Sequence, residues 1–511
     1  MDSSLWQDRS EEAIDCCLLV NSLLESRRCS PGNRCALATT DIPAGRIIVR
    51  NTPMAFCVHD RDDRCASCFR KCKLLRCGKC QQTWYCSREC QVQDFPSHRI
   101  ECRERSKLLG REEWQRNARL LVRVFVKLYT TETDSCRLVM ADTETNSPTC
   151  TCSRRHFMQL RPFRADKDLY ELRILETVSE ILINRSKILM KMNIDLSNDI
   201  ESLKITLEYL LRRFRCNNFG MVDSMVRLVG SGVYPLGALL NHSCAPNCII
   251  RYTNHGVMEI VAARDIARGD ELTHSYVELV SSSHQRKAHL QDIYGFDCTC
   301  VSCQRLLVSL PWNYEHLRTE TLMQWILDRY NPHSPKNPVM DGLGLPSKSV
   351  IEIPLDDLLV PSAMNKNILY QVRTLQQQAG MAMADDDVWT ELDCLTSAES
   401  LLLEQNTQCF VSLSKDLYQI LCQELSCLIV TQQCKEALEV CTRIVAILCL
   451  ALHKIPKHPL LGLQLFTLGD LYQENGQICR ASVIYRWAFD VLLISQGQAS
   501  DMVQMLREKL A

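Results

Sequence analysis

The sequence predicts an α+β protein in which a β-rich domain is split by an inserted zinc-binding segment and followed by an all-α C-terminal domain. Three observations predict this architecture. Strand patterns lie on both sides of a cysteine cluster at residues 65–102, the cluster has the ligand spacing of zinc sites, and the chain from residue 366 onward has helical apolar spacing with few breakers. Because 511 residues exceed the size of one hydrophobic core, several domains are expected.

The composition narrows the class of protein. A net charge of -1 excludes a molecule that binds polyanions over its whole surface. The chain has no run of about 18 apolar residues, so no membrane span is expected. The stretch Met1–Asp8 lacks the basic and apolar segments of a secretory signal, which favours a reducing compartment. There, the 30 cysteines are better explained as metal ligands than as disulfides.

The first 64 residues predict a helix followed by two strands. Apolar spacing over residues 11–28 is typical of a short amphipathic helix, and a turn follows at Pro31-Gly32-Asn33-Arg34. Residues 35–38 and 46–49 have the pattern of two strands joined through a glycine turn at residues 41–45. That turn suits either the close approach of a ligand to the backbone or an ordinary hairpin. Its pattern recurs at residues 265–269.

Residues 65–102 carry ligand pairs that predict two structural zinc sites. Zinc takes four soft or borderline ligands in a tetrahedron, and a segment this short with few apolar residues requires metal in order to fold. Cys72 falls outside the spacing and is interpreted as a bystander. The segment is locally basic, which indicates either contact with nucleic acid or a solvated basic face. The four pairs are Cys65 with Cys68, Cys77 with Cys80, Cys86 with Cys90, and His98 with Cys102.

Residues 103–216 are predicted to be mainly helical. A polar loop is expected at residues 130–155, because this stretch is rich in threonine, serine and aspartate. Helices are expected to begin near residue 120 and to cover residues 169–189 and 200–214.

The stretch from Asn241 to Cys248, with the sequence Asn-His-Ser-Cys-Ala-Pro-Asn-Cys, concentrates polar groups directly after an apolar run at residues 234–240. Burying so many polar groups is unfavourable unless each has a partner. The stretch is therefore predicted to bind a ligand or to join a polar network. The strands that follow are expected at residues 248–252, 257–263 and 271–276.

A third metal site is predicted from Cys298, Cys300 and Cys303. Three cysteines cannot close a structural zinc site, so a fourth ligand must come from elsewhere in the chain. Cys244, in the polar stretch, is the ligand we expect. A zinc ion held by these four thiols would clamp residues 298–303 over that stretch.

The C-terminal part divides into a linker and a helical domain. Proline and glycine are concentrated at residues 306–365, where a short helix is expected near residues 320–329. Residues 427–492 have the pattern of stacked helix pairs. Gly469-x2-Tyr472 and Ala488-Phe489 echo the tetratricopeptide repeat, although simple helical packing is equally consistent with the spacing.

The zinc-binding segment resembles the MYND finger. The order of two Cys pairs, Trp84-Tyr85-Cys86, and then His98 and Cys102 carries this resemblance. MYND fingers usually bind proline-rich peptides, so such a peptide is an expected partner. The interleaved pairing of the family implies one zinc ion on Cys65, Cys68, Cys86 and Cys90 and another on Cys77, Cys80, His98 and Cys102.

The wider chain resembles the SMYD family of SET-domain lysine methyltransferases. The resemblance rests on Asn-His-Ser-Cys-x-Pro-Asn at residues 241–247, Glu-Leu-Thr-x-x-Tyr at 271–276 and Cys-x-Cys-x2-Cys at 298–303, with the finger inserted ahead of them. The implied domains are the N-terminal part of the SET domain at 1–64, the MYND finger at 65–102, a helical SET insertion at 103–216, the SET catalytic core at 217–297, a post-SET zinc segment at 298–305, a linker at 306–365 and a TPR-like domain at 366–511.

This resemblance implies S-adenosylmethionine as methyl donor and three zinc ions, the third on Cys244, Cys298, Cys300 and Cys303. Tyr276 corresponds to the tyrosine beside the transferred methyl group, where it would orient a neutral lysine amine. Asn217 corresponds to a contact with the amino-acid end of the cofactor, and Phe296 to the ring that stacks on its adenine. The expected cofactor contacts are Gly32, Asn33, Arg34, Tyr209, Asn217, Asn241, His242, Tyr276 and Phe296.

One turn departs from the family pattern. The family opens its first strand with Gly-x-Gly, whereas Pro31-Gly32-Asn33-Arg34 lacks the second glycine and stands one residue further from Gly45. The alternative to an active enzyme is therefore a MYND-based interaction scaffold or transcriptional co-regulator with a weak or inactive SET domain. The first hypothesis predicts a monomeric cytoplasmic and nuclear enzyme that methylates lysine in a histone tail or a non-histone protein.

Overall fold

The computed structural model describes most of the chain. In this described part, no helix has both the length and the apolar character needed to cross a membrane. The described residues form two compact units, one containing residues up to 241 together with 248–273, and the other containing residues 242–247 together with those from 274 onward. The described ranges are 19–21, 24–30, 33–59, 63–108, 113–130, 137–139, 149–151, 157, 160, 162, 169–194, 196, 200–307, 319–333, 352–354, 366–404 and 415–511.

Small sheets form the frame of the first unit. Its strands are β1 (Leu19–Asn21), β2 (Leu24–Ser30), β3 (Asn33–Ala38), β4 (Ile47–Thr52), β5 (Ala55–Val58), β6 (Leu75–Arg76), β7 (Trp84–Tyr85), β8 (Arg137–Val139), β9 (Thr149–Thr151), β10 (Asn218–Val222), β11 (Leu228–Val233), β13 (Cys248–Tyr252) and β14 (Met258–Ala262). Strands β12 (Asn241–His242) and β15 (Thr273–His274) lie where the chain passes between the two units. The sheets have the orders β1-β2-β3, β10-β11-β5, β6-β7 and β13-β14-β4-β9-β8, and only the β4–β9 pair is parallel among these described pairs.

Two sequence predictions in this unit are wrong. The helix expected over residues 11–28 is replaced, in the part that the structure describes, by β1 and β2, and Leu24 of β2 pairs with Ala38 and is buried in the core. Sheet pairing and burial outweigh the helical spacing there; residues 11–18 lie outside the described part. The polar loop expected at 130–155 contains β8 and β9, which continue the sheet beside β4 because the edge of β4 offers partners for their backbone groups.

The two glycine turns that share a sequence pattern contact each other reciprocally. Ile42 and Ile266 form an antiparallel bridge. The Oδ1 atom of Asp41 accepts a hydrogen bond from the backbone N–H of Arg268 at 2.8 Å, and the Oδ1 atom of Asp265 accepts one from Ala44 at 2.8 Å. Each turn ends in a glycine with positive φ, 81° at Gly45 and 88° at Gly269, a conformation that favours glycine. The repeated pattern is therefore one paired structure.

Helices between residues 88 and 215 form a second layer of the first unit. They are α1 (Arg88–Glu101), α2 (Arg105–Leu108), α3 (Glu113–Thr130), α4 (Leu169–Asn184), α5 (Ser186–Met190) and α6 (Ile200–Arg215). Residues 117–126 of α3 are buried on every side, as expected for a helix at the centre of a core. The expected helix at 169–189 is interrupted at Arg185, and the one expected at 200–214 is confirmed.

A buried ionic network joins α1 to α3. Arg123 donates to both Asp94 and Glu101 at 2.6 to 3.3 Å, and Arg119 donates to Glu101 at 3.1 Å. The hydroxyl of Tyr85 donates to Asp94 at 2.7 Å. All of these side chains are buried. Because each carboxylate has a guanidinium partner and several hydrogen bonds, the charges are compensated inside the core.

The second unit is mainly helical. Its helices are α7 (Ser283–Tyr294), α8 (Val301–Gln304), α9 (Thr319–Tyr330), α10 (Lys366–Ala384), α11 (Val388–Glu404), α12 (Lys415–Val430), α13 (Cys434–Ala451), α14 (Pro459–Glu474), α15 (Ile478–Gln496) and α16 (Asp501–Leu510), with a short antiparallel pair of β16 (Arg305–Leu307) and β17 (Glu352–Pro354). From α10 to α16 each helix packs on the next. A Cβ at Gly469 of α14 would lie 2.4 Å from the ring of Tyr485, so this glycine allows the close approach of α15.

Candidate functional site

The first group of expected metal ligands comes together in the finger. The Sγ atoms of Cys65, Cys68, Cys86 and Cys90 lie within 4.8 Å of one another. Cys86 Sγ is 3.5 Å from Cys68 Sγ and 3.4 Å from Cys90 Sγ. A tetrahedral zinc ion with Zn–S distances of about 2.3 Å places its sulfur ligands about 3.8 Å apart. The geometry of the four thiols therefore fits a zinc ion.

The second group lies at the other end of the finger. Cys77, Cys80, His98 and Cys102 also place one ligand atom each within 4.8 Å of one another. The Nε2 atom of His98 is 3.4 Å from Cys77 Sγ and 3.7 Å from Cys80 Sγ. His98 and Cys102 are carried by the end of α1, the helix that the buried ionic network joins to α3. Cys72 belongs to neither group and is exposed.

The third group joins the polar stretch to residues 298–303 in the second unit. Cys244, Cys298, Cys300 and Cys303 place their Sγ atoms within 4.8 Å of one another, with 3.5 Å between Cys244 and Cys303. The guanidinium of Arg286 donates to Cys244 Sγ at 3.2 Å and lies 3.9 Å from Cys303 Sγ. A cation beside clustered thiols stabilises their thiolate forms, which are the forms that bind metal.

His242 connects this third group to Tyr276. Its Nδ1 atom accepts a hydrogen bond from the backbone N–H of Tyr276 at 3.0 Å, and its Nε2 atom lies 3.2 Å from Cys244 Sγ. Because Nδ1 accepts, the proton of a neutral His242 is on Nε2 and points to the thiol. The side chain therefore fixes the position of the Tyr276 backbone relative to the metal group.

Tyr276 lies in a cluster of aromatic rings. Its ring centroid is 4.8 Å from those of His274 and Tyr294 and 5.4 Å from that of His242. Phe296 joins the cluster, with its centroid 6.1 Å from His242. The rings are tilted relative to one another, an arrangement that aromatic pairs favour. The cluster forms an apolar, π-rich wall around the Tyr276 side chain.

Burial keeps the two histidines of this cluster neutral. It lowers the pKa of His242 to about 4, and burial together with the neighbouring His242 lowers the pKa of His274 to about 3. Both values lie far below neutral pH. The aromatic cluster therefore carries no histidine charge at pH 7, and a cationic ligand placed beside it would meet no repulsion from these two side chains.

Three expected contacts lie in the first unit, where each already has a protein partner. The Nδ2 atom of Asn241 donates to Glu271 Oε1 at 2.7 Å. Asn217 follows the end of α6 and donates to the backbone oxygen of Arg213 at 2.6 Å. The guanidinium of Arg213 lies 3.7 Å from the centre of the half-buried Tyr209 ring. The cofactor roles expected for Tyr209, Asn217 and Asn241 stay predictions.

The turn that departs from the family pattern is only partly described. Gly32 lies outside the described residues. Asn33 and Arg34 belong to β3 and pair with Ser30 and Arg28 of β2, and only their backbones are described. Their expected contacts with the cofactor also stay predictions.

Sequence reasoning assigned no role to His274, Arg286 or Tyr294. Tyr294 ends α7, and Gly295 terminates the helix in the left-handed region at φ 70°, which reverses the chain before Phe296. The same helix begins with a capping box of Ser282 and Gln285. These cap signals, visible in the sequence, predict the bounds of a helix that carries two side chains of the site.

Comparison with known proteins agrees with this geometry. The family model described as "SET domain" matches residues 33–277. The chain is 26% identical over 502 residues to "Histone-lysine N-methyltransferase ASHR1" of Arabidopsis thaliana, covering 97% of this chain and 95% of the relative. It is 30% identical over 286 residues to "N-lysine methyltransferase SMYD2-B" of Xenopus laevis, and 28% identical over 290 residues to "Histone-lysine N-methyltransferase SMYD3" of Mus musculus. These two alignments cover 54% and 52% of this chain and 59% and 58% of the relatives.

Proposed function

We propose that the chain is a protein-lysine N-methyltransferase of the SMYD family of SET-domain proteins and that it uses S-adenosylmethionine. The observation that carries the proposal is the hydrogen bond from the Tyr276 backbone to His242, which holds Tyr276 within the aromatic cluster. The relatives that align with this chain are named as histone-lysine or N-lysine methyltransferases. The expected substrate is a lysine of a histone tail or of a non-histone protein.

The aromatic cluster suits the proposed cofactor. The bound cofactor would supply an electrophilic methyl group on a positively charged sulfur. The faces of Tyr276, Tyr294 and Phe296 present negative π-density, which attracts a cation. The neutral state of His242 and His274 avoids repulsion of that charge. Of these residues, His242, Tyr276 and Phe296 would hold the cofactor, with Phe296 against its adenine.

The side chains contribute orientation and exclusion of water. A lysine amine attacks only in its neutral form, so its proton must be lost to solvent before transfer. The hydroxyl of Tyr276 would accept a hydrogen bond from that amine, or donate one to it, and so fix its direction. His242 fixes the tyrosine backbone. The surrounding rings would limit the access of water to the bound substrate, so most of the rate enhancement would come from positioning.

We assign one zinc ion to each of the three ligand groups. The spacing of the ligand atoms in each group supports this assignment. In the second unit, a zinc ion on Cys244 and Cys303 would tie residues 298–303 to the polar stretch. That tie would hold the chain beyond Phe296 in place and thereby support the aromatic cluster.

The finger is proposed to bind a proline-rich peptide. Its surface exposes Leu75, Val92 and Phe95, each more than half exposed, and the guanidinium of Arg76 lies 4.5 Å from the centre of the Trp84 ring. Exposed apolar and aromatic side chains are the surface that proline-rich segments recognise. Contact with nucleic acid is the weaker candidate, and it predicts an affinity that falls steeply as salt is added. We propose a monomer found in cytoplasm and nucleus.

Labelled methyl transfer tests the proposed activity. Zinc-replete protein with radiolabelled S-adenosylmethionine is expected to label histones or proteins of a cell lysate, and calorimetry is expected to detect cofactor binding. Tyr276→Phe is expected to lower transfer while leaving cofactor affinity nearly unchanged, because the backbone bond to His242 remains. Absence of cofactor binding by the zinc-replete parent would favour the scaffold hypothesis instead.

A further inference from the structure

The helical part of the second unit contains a cleft that the proposed reaction does not use. The cleft measures about 690 Å³ and is lined by residues of α9, α11, α12 and α13. Among the lining residues that the structure describes, the single cation is Arg443, and it forms an ion pair with Glu399 outside the cleft wall. The acidic lining residues are Asp393 of α11, Glu424 of α12, and Glu436 and Glu439 of α13. The cleft is therefore negatively charged.

Glu424 is the buried member of this group. Its side chain is only 6% exposed. Its Oε1 atom accepts a hydrogen bond from the hydroxyl of Thr396 at 3.3 Å, whereas its Oε2 atom has no hydrogen-bond partner among the described residues. Burial raises the pKa of this carboxyl. A buried carboxylate oxygen without a donor is strongly unfavourable, so the site favours a ligand that brings a donor to it.

The rest of the cleft indicates the shape of that ligand. Asp393, Glu436 and Glu439 are exposed and surround the entrance with negative charge. Leu428 and Val440 provide apolar wall. A lysine or arginine side chain matches this arrangement, because its aliphatic stem packs on apolar surface while its charged end reaches a carboxylate.

We propose that this cleft binds a lysine or arginine side chain from a basic segment of a protein partner. The cationic end forms an ion pair with Glu424, and the exposed carboxylates draw basic segments toward the cleft. The site is separate from Tyr276 in the chain and requires no methyl transfer. It is a recognition site of the helical domain.

Peptide binding to the full-length, zinc-replete protein tests the proposal. Fluorescence polarisation compares three labelled octapeptides that are identical except at two positions. These two positions are arginine in the first peptide, lysine in the second and norleucine in the third. Norleucine keeps the aliphatic stem and removes the charge. We expect at least tenfold tighter binding of one or both cationic peptides than of the norleucine peptide.

Variants of the cleft locate the binding. Glu424→Gln keeps the side-chain size and the contact with Thr396, and the double variant Glu436→Gln/Glu439→Gln changes only exposed residues. Each variant is expected to bind the cationic peptides at least fivefold more weakly than the parent does. The matched control, Glu508→Gln on the exposed face of α16, is expected to bind like the parent. Equal binding of the norleucine peptide, or parent-like affinity in both cleft variants, would overturn the proposal.

Discussion

The backbone N–H of Tyr276 donates to Nδ1 of His242 over 3.0 Å, while Nε2 of the same ring lies 3.2 Å from the thiol of Cys244. One imidazole thus joins a proposed catalytic tyrosine to a proposed metal ligand. This relationship explains why the polar stretch combines a histidine with a cysteine two residues later.

Replacement of His242 by alanine is expected to lower kcat by about 10- to 100-fold, because loss of one positioning hydrogen bond corresponds to roughly 1.4–2.7 kcal/mol in the barrier. The partly buried Tyr276 N–H would lose its acceptor, so the melting temperature is expected to fall as well. Tyr276→Phe is the comparison, since it keeps this hydrogen bond and should leave the melting temperature unchanged. A His242→Ala enzyme with the kcat of the parent would rule out the positioning role.

Cys298→Ser is expected to remove one of three zinc ions per chain. The variant takes one thiol from the group formed with Cys244, and a structural zinc site requires four ligands. Native mass spectrometry measures the metal content directly. Cys72→Ser is the control, because Cys72 lies outside the three ligand groups and should retain all three ions. Equal metal content in the two variants would show that the third group does not bind zinc.

Acidification is expected to destabilise the second unit through His274. The pKa of this buried histidine is about 3 in the folded protein, below the value of about 6.5 in an unfolded chain, so the unfolded state takes up protons first as the pH falls. Stability from this group is present above about pH 6.5 and is lost between about 6.5 and 3. At pH 5.5 the loss is about 1 kcal/mol.

The pH dependence is measured as the difference between parent and variant. Between pH 8 and pH 5.5, the parent is expected to lose about 1 kcal/mol of unfolding free energy through His274. The His274→Gln variant should not show this loss. His284→Gln, which removes an exposed histidine of α7, should keep the slope of the parent. Identical slopes for the parent and His274→Gln would contradict the assignment.

Arg123→Met is expected to destabilise the first unit by about 3–5 kcal/mol, because it leaves the buried carboxylates of Asp94 and Glu101 without their main partner. His98 lies on the same helix as these carboxylates and Cys102 caps its end, so zinc should leave the finger at a lower urea concentration. The control variant is Lys127→Met, at an exposed position of α3, the helix that carries Arg123. It should change the free energy of unfolding by no more than about 0.5 kcal/mol. Zinc release, monitored with a chromogenic chelator as urea is added, is expected to occur at a lower urea concentration in Arg123→Met than in Lys127→Met.

The metal groups could be predicted from the sequence because coordination chemistry is restrictive. Short Cys and His spacings define pairs, and the requirement for four ligands pointed from Cys298, Cys300 and Cys303 to Cys244, which the structure places with them. The rest of the site depends on how distant elements pack. Phe296 joins the aromatic cluster beside His242 after Gly295 reverses the chain at the end of α7.

Local patterns also failed where tertiary pairing decided the outcome. Residues 24–28 lie within the stretch 11–28 that has helical spacing, but they form part of β2 because β3 offers partners for their backbone groups. The acidic cleft has no signal in the sequence, since Asp393, Glu424 and Glu436 are far apart in the chain and come from three helices. Periodicity describes one element at a time and carries no information on which faces of different helices meet.

The reciprocal contacts between the turns at Asp41 and Asp265 bear on how this domain tolerates interruption. More than two hundred residues, including the finger and a helical layer, lie between two segments that nevertheless hydrogen-bond to each other. The entropy of closing a loop grows only with the logarithm of its length, so each doubling of the intervening chain costs about 0.6 kcal/mol. Once Ile42 and Ile266 are paired, the length of the inserted chain becomes nearly irrelevant to the stability of the junction. The paired turns hold the two ends of the inserted chain together. Residues can therefore be added to or removed from the chain between them during evolution at little cost in folding free energy.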